Sequence, residues 1–197
     1  MRITQTIAPA STIVSLAEAK SFLRVLTNDD DSLISILIEA ATNYAENYTS
    51  RQLISAKYRV VVNRSELFEL QKNSYFNGLI EVNKPLRLPK SPIISIDSVK
   101  VSDSTGTFST LDNVNYTVDY DVDVAVFTLT QQLSDAKSFQ IDFTAGFDIA
   151  PSVLKAWALN KIATLFEFRE ALIDSKLSEM PSNVIDCVLD QFKVQYL

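Results

Sequence analysis

Three aspartates, Asp119, Asp121 and Asp123, stand at alternate positions and could begin a calcium-binding loop. Such a loop supplies oxygens from its first, third and fifth positions, has a glycine at the sixth, and ends on a bidentate glutamate at the twelfth. Here the sixth position is Val124 and the twelfth is Thr130. The alternation therefore favours a simpler interpretation, a strand that presents three acids to solvent on one face.

The residue types that most nucleophilic and metal-dependent enzymes need are missing. The chain has no histidine, so Ser-His-Asp and Cys-His arrangements and His-based zinc or iron sites are excluded. Its three glycines, Gly78, Gly106 and Gly146, are isolated and fit no phosphate-binding loop. We therefore expect no enzyme activity, no metal and no cofactor, although a pair of hydrolytic carboxylates can hide among 24 acids.

The single cysteine, Cys187, indicates the redox compartment. One cysteine cannot form an internal disulfide, which suits a reducing cytoplasm. Its neighbours Val184, Ile185, Val188 and Leu189 are aliphatic. We therefore predict that its side chain is buried as a small apolar group.

Charge and hydropathy limit the class of partner. The composition is that of a folded protein, and the formal net charge of −6 argues against general binding to nucleic acid or to an anionic membrane. The amino-terminal residues lack the apolar stretch of a signal peptide, and no run of about 18 apolar residues occurs that would span a bilayer. We expect no membrane partner.

Helical periodicity dominates the amino-terminal quarter of the chain. Ser15 and Glu18 have the spacing of a capping box, which predicts the start of a first helix. Phe22 and Leu26 fall on the predicted buried stripe of this helix. A second helix is predicted over residues 32–50.

The second predicted helix carries more apolar surface than a hairpin of two helices requires. Ile34, Ile36 and Ile38 widen its apolar side beyond a simple stripe. Such an excess indicates association with another subunit. The opposite, polar face carries the acids Glu39 and Glu46.

From about residue 52 the hydrophobic period changes to that of strands. Alternating segments bounded by turn residues predict strands at 58–62, 79–83, 93–101, 116–119, 124–130 and 139–144. Residues 65–78 fit either an extended loop or a short hairpin.

A long helix predicted after Pro151 is apolar on two sides. Leu159 and Ile162 share one face, while Val153, Trp157 and Phe168 lie near the opposite one. Such a helix needs two partners. The second group is expected in the core of the chain or at a contact with another subunit, and a ligand pocket is a third alternative.

These elements together predict an α+β protein. Helices near both ends of the chain, within residues 1–51 and 148–197, are expected to form a small helical bundle. Residues 52–147 would then form an inserted, mostly antiparallel β region.

Three segments, in order along the chain, resemble the bacteriophage head–tail connector family (adaptor or head-completion proteins) of long-tailed phages and prophages. The matching segments are residues 16–54, 88–101 and 143–171, the last with the runs Ala145-Gly146-Phe147 and Phe168-Arg169-Glu170. The second segment has two prolines, Pro89 and Pro92, before a predicted strand. Together the three segments cover much of the chain.

The resemblance implies a structural virion protein that is not an enzyme. Connectors of this kind form a closed ring of about twelve copies with head-to-tail contacts. The ring joins the portal protein to the next neck or tail-completion (stopper) protein, and DNA passes through it as cargo. We accordingly expect the protein in the head–tail neck of the virion, after synthesis in the cytoplasm of the bacterial host.

The resemblance also suggests roles for particular surfaces. An acidic channel would repel the phosphates of passing DNA. The candidates for lining or bordering the channel are Glu39, Glu46, Asp119, Asp121 and Asp123. The candidates for a subunit or partner interface are Val153, Trp157, Phe168, Ile34 and Ile38. Two other functions stay open, another phage neck or tail-completion protein and a non-catalytic β-rich binding module.

Overall fold

The protein is α+β, as predicted from its sequence. A computed structural model describes residues 1–73, 78–120, 124–130, 133, 135–167 and 182–194. The helices are α1 (Leu16–Leu23), α2 (Asp31–Thr49), α3 (Arg64–Leu67), α4 (Ser152–Glu167) and α5 (Ser182–Asp190). The strands are β1 (Arg2–Ile7), β2 (Ala56–Asn63), β3 (Phe68–Asn73), β4 (Gly78–Asn83), β5 (Leu86–Arg87), β6 (Ile93–Ser102), β7 (Phe108–Thr110), β8 (Tyr116–Tyr120), β9 (Ala125–Leu129) and β10 (Ser138–Ala145).

The chain divides into two compact units, each made from separate stretches of sequence. The sheet unit contains Met1–Ala8 and Ser55–Gly146, and the helical unit contains Pro9–Ile54 and Phe147–Leu197. The sequence-based division placed all of residues 1–51 with the helices. In the structure the first residues instead form β1, because the exposed edge of β2 offers unpaired backbone groups with which β1 pairs antiparallel.

Three antiparallel sheets build the sheet unit. The largest has the strand order β1-β2-β10-β6-β7, a second has the order β5-β9-β8, and β3 pairs with β4. Within residues 65–78, which the sequence left undecided, the structure places most of α3 and the strand β3, and residues 74–77 lie outside the described residues. All strand pairs within the described residues are antiparallel.

The core of the sheet unit follows from period-two alternation along neighbouring strands. In β10, Phe139, Ile141 and Phe143 are fully buried, and Ile141 lies opposite Val60 of β2 and Val99 of β6. Side chains of β9 belong to the same core cluster. The other face of the large sheet is polar.

Cross-strand ion pairs hold this polar face. Arg59 Nε of β2 donates to Asp142 Oδ1 of β10 at 2.7 Å. Lys57 Nζ of β2 reaches Asp97 Oδ2 of β6 at 2.9 Å. Alternation thus places apolar packing on one side of these strands and paired charges on the other.

Helix α1 begins as the sequence predicts, at a capping box. The backbone N–H of Glu18 donates to Ser15 Oγ at 3.2 Å, and the backbone N–H of Ser15 donates to Glu18 Oε2 at 2.8 Å. The helix ends before Arg24, which adopts a left-handed conformation with φ of 57°. Leu26 therefore lies beyond the helix.

The core of the helical unit comes from four helices. Helices α1, α2 and α4 contact one another, and α5 contacts α2 and α4. Helix α2 contributes a stripe at helical spacing, Ile34, Ile38, Ala41 and Ala45, all buried. Helix α4 contributes Leu154, Trp157, Ala158 and Ile162.

The prediction that Cys187 is buried is wrong. Its side chain is exposed in the structure. Among the α5 residues whose side chains the structure describes, Asp186 and Leu189 are the buried ones, and successive helical residues are about 100° apart. Cys187 therefore points away from the side of α5 that faces the other helices, although its sequence neighbours are apolar.

Candidate functional site

The structure contains no arrangement that identifies an enzyme centre among its described residues. Within those residues, no three side chains of His, Cys, Asp or Glu come together to hold a metal ion. No helix in the same part of the chain is long and apolar enough to cross a membrane. Asp119 is exposed on β8, and Asp121 and Asp123 lie outside the described residues.

The most elaborate polar arrangement in the helical unit surrounds Asp186 of α5, which is 6% exposed. Tyr44 of α2 donates its hydroxyl to Asp186 Oδ2 at 2.7 Å. From α4, Trp157 Nε1 donates to Oδ1 at 3.1 Å, and Lys161 Nζ lies 3.3 Å from Oδ2. We call these four residues the Asp186 cluster. It connects three helices through one carboxylate.

Aromatic and cationic contacts reinforce the Asp186 cluster. The Tyr44 ring stacks on Trp157 with a centroid distance of 5.9 Å, and Lys161 Nζ lies 4.4 Å from the centroid of the Tyr44 ring. Donation to the Asp186 carboxylate, together with burial, raises the pKa of Tyr44 to about 12. The tyrosine thus stays a hydrogen-bond donor at any ordinary pH.

The same pairing repeats one helical turn further on. Tyr48 of α2 donates its hydroxyl to Asp190 of α5 at 2.8 Å, which raises the pKa of Tyr48. Beyond α5, the backbone N–H of Val194 donates to the carbonyl oxygen of Thr49 at 3.0 Å. Arg51 Nε donates to the carbonyl oxygen of Phe192. Directional contacts therefore fix α5 and the residues after it against α2.

The predicted interface residues occupy different environments. Ile34 and Ile38 are buried within the helical unit, where they stabilise its core. Trp157 is buried too, through the contacts given above. Val153 is 44% exposed, and Phe168 lies outside the described residues. Of the four residues that the structure describes, only Val153 presents an apolar side chain to solvent.

The predicted channel acids of α2 also differ. Glu39 is exposed, and it makes no ion pair or hydrogen bond within the described part of the chain. Glu46 is half-buried, and its Oε1 accepts hydrogen bonds from Gln52 Nε2 at 2.7 Å and from the backbone N–H of Leu53 at 3.0 Å. Glu46 therefore orders the chain after α2.

Several apolar side chains of the helical unit are exposed to solvent. Leu26 is 96% exposed, Ile36 is 62% exposed and Phe22 is 47% exposed, and Ile149 is exposed as well. Periodicity had placed Phe22 and Leu26 on a buried stripe, but α1 ends before Leu26. Exposed apolar groups mark surfaces that bind other proteins where they form a contiguous patch.

The comparison with protein families gives the class of this protein. Residues 13–124, more than half of the chain, match the model of the family described as phage gp6-like head-tail connector protein. The matched range contains α1 and α2 and most of the sheet unit. The chain therefore belongs to this family of head–tail connectors, which are structural virion proteins. This confirms the family that the sequence motifs indicated.

Solved structures share the fold over the whole chain. A chain in the neck of the empty GTA particle, computed with C6 symmetry, has a TM-score of 0.75 at 18% identity. A chain in the virion of the native gene transfer agent (GTA) particle has a TM-score of 0.72, and one in the neck of the native GTA particle, computed with C12 symmetry, has 0.70, both at 18% identity. Each comparison covers 100% of this chain and 97% of the other. No curated protein sequence matches this chain.

Proposed function

We propose that this head–tail connector assembles with copies of itself into a ring at the neck of a phage-like particle. The observation that carries the proposal is the family match over residues 13–124. The fold adds support, because chains of the same fold occur in particle necks that were computed with sixfold and twelvefold symmetry. A closed ring of identical copies requires two different, complementary surfaces on each copy.

The helical unit is the core of the connector in this proposal. Its helices come from both ends of the chain and form a small bundle, with the β region inserted between them. The mutual contacts of α2, α4 and α5 and the Asp186 cluster support this division. Because directional hydrogen bonds fix α5, a connector core of this kind would be rigid.

The ring would stand between the portal protein and the neck or tail-completion protein and let DNA pass. We expect no catalysis and no cofactor, because a chain without histidine lacks the most versatile acid–base group. Acidic residues at the channel would repel DNA phosphates. Among the predicted channel acids, the exposed Asp119 on β8 fits this role better than Glu46, whose carboxylate orders a turn.

Electron microscopy of the protein mixed with its cognate portal tests the proposal. We expect a ring of connector density on one end of the portal. A tail-completion protein, the second candidate left by the sequence, would bind tail components and leave the portal bare. If the portals carry no added density even when this protein is in large excess over them, the connector function is contradicted.

A further inference from the structure

A groove runs along the outside of the helical unit between α1 and α4. It has a volume of about 770 Å³ and is lined by Ala17, Glu18, Ser21, Phe22, Arg24 and Leu159. Small side chains lie along the α1 side, while Phe22 and Leu159 supply apolar surface. A groove of this make-up accepts a ridge of side chains from another helix.

A ridge of matching character lies on α2. Ile36, Glu39, Ala40 and Asn43 are exposed at helical spacing, on the side away from the buried stripe of the same helix. Because α1, α2 and α4 contact one another, the buried stripe of α2 faces the other two helices. The α2 ridge and the α1/α4 groove therefore lie on different sides of the helical unit.

The unpaired charges at the two surfaces are complementary, because the acid that lines the groove, Glu18, is already paired with Lys155. Among the described basic residues of the helical unit, Arg24 is the one whose side chain has no carboxylate, carbonyl or aromatic partner. It lies in the groove. Glu39, on the ridge, is also without a partner in the same described part of the chain. Each charge is thus available to the other on a second copy.

We propose that the α2 ridge of one copy docks into the α1/α4 groove of the next, with Glu39 paired to Arg24 across the contact. Ile36 would then cover the exposed ring of Phe22. Since the ridge and the groove differ, every copy offers one of each, and the contact repeats around a closed ring. This inference rests on the proposed function. It assigns Glu39 to the subunit contact and not to the channel.

Disulfide trapping in assembled particles tests the contact. Ser21→Cys in the groove and Ala40→Cys on the ridge, both at exposed positions, are placed in a chain that carries Cys187→Ser to remove the natural thiol. Particles are purified, oxidised and analysed on non-reducing gels. We expect a ladder of oligomers longer than dimers, because a head-to-tail contact links every copy to two neighbours.

Two controls give each outcome a meaning. Ser21→Cys combined with Ser104→Cys, which is exposed in the sheet unit, should give no ladder. The proposed contact is overturned if the protein is present in the particles but the groove–ridge pair gives no ladder of oligomers. It is also overturned if that pair gives dimers alone. If immunoblots find no wild-type protein in the particles, the connector function itself is overturned, and the contact with it.

Charge reversal provides an independent test. Arg24→Glu and Glu39→Arg should each lower the yield of particles with joined heads and tails by about tenfold, since the like-charge penalty recurs at every contact of the ring. The double variant should restore the yield to within about threefold of the wild type. A double variant as poor as either single variant, with all three proteins folded by circular dichroism, would overturn the pairing.

Discussion

At the scale of single residues, Asp186 determines how the last described helix is fixed. It is almost fully buried, and three groups from two other helices donate to its carboxylate. A buried charge is tolerated only when it is paired and hydrogen-bonded in this way. Because each donor has its own direction, the cluster specifies one position of α5 more strictly than apolar packing alone would do.

Replacing the carboxylate tests this role. Asp186→Ala should lower the free energy of unfolding by about 2–4 kcal/mol, because it leaves Trp157 Nε1 and Tyr44 OH without an acceptor and Lys161 without its counter-charge. Denaturant-induced unfolding measures the change. The matched control is Asp190→Ala, which removes the exposed partner of Tyr48 and should cost clearly less than Asp186→Ala. Equal losses in the two variants would contradict the importance of the buried cluster.

At the scale of elements, helix α4 buries one side against helices of its own chain, through Leu154, Trp157, Ala158 and Ile162. It contacts α1 and α2 as well as α5, and Trp157 meets Tyr44 of α2 and Asp186 of α5. The sequence predicted two partners and left open whether the second was a subunit; Trp157 of the second group is covered by its own chain, whereas Val153 of the same group is exposed. Hydrophobic periodicity shows which faces of a helix are apolar, but it does not show whether the same chain or another subunit packs against each face.

The start of α1 has a pH dependence that can be measured. Hydrogen bonds from the backbone N–H and the hydroxyl of Ser15, and the nearby Lys155 ammonium, lower the pKa of Glu18 from 4.5 to about 2. Since this pKa is lower in the folded state, the stabilisation is present above pH 4.5 and is lost as the pH falls towards 2. Glu18→Gln should therefore be less stable than the parent at pH 6, and the difference should shrink between these two pH values.

Unfolding by denaturant at pH 6, 4 and 2.5 checks this expectation. The control Glu39→Gln removes a carboxylate from the exposed side of α2 without removing a cap, so its difference from the parent should be the smaller one at pH 6. A difference between Glu18→Gln and the parent that stays constant from pH 6 to pH 2.5 would show that the capping carboxylate does not cause the acid dependence.

At the scale of the whole molecule, features that depend on local sequence were easier to predict than features that depend on tertiary packing. The capping box at Ser15, the alternation of Phe139, Ile141 and Phe143, and the α+β class all follow from period and local hydrogen bonding. The pairing of β1 with β2 could not be predicted this way, because it depends on an edge 50 residues away that the fold creates.

The candidate surfaces were harder to predict than the elements. Apolar composition placed Cys187 in the core, but its position around α5 exposes it. Ile34 and Ile38 looked like surplus apolar surface, yet α1 and α4 provide enough contact to bury them, whereas Ile36 between them is exposed. Which side of a helix remains uncovered depends on where the other helices pack, and no single helix pattern contains that information.

As a member of the head–tail connector family, this protein is expected to join head to tail. The most direct measurement is electron microscopy of the particles produced when the gene for this chain is deleted, with a plasmid-borne copy as the control. We predict that heads and tails both form but stay unjoined, and that the plasmid copy restores joined particles. Joined, tailed particles in wild-type numbers without the protein would contradict this prediction.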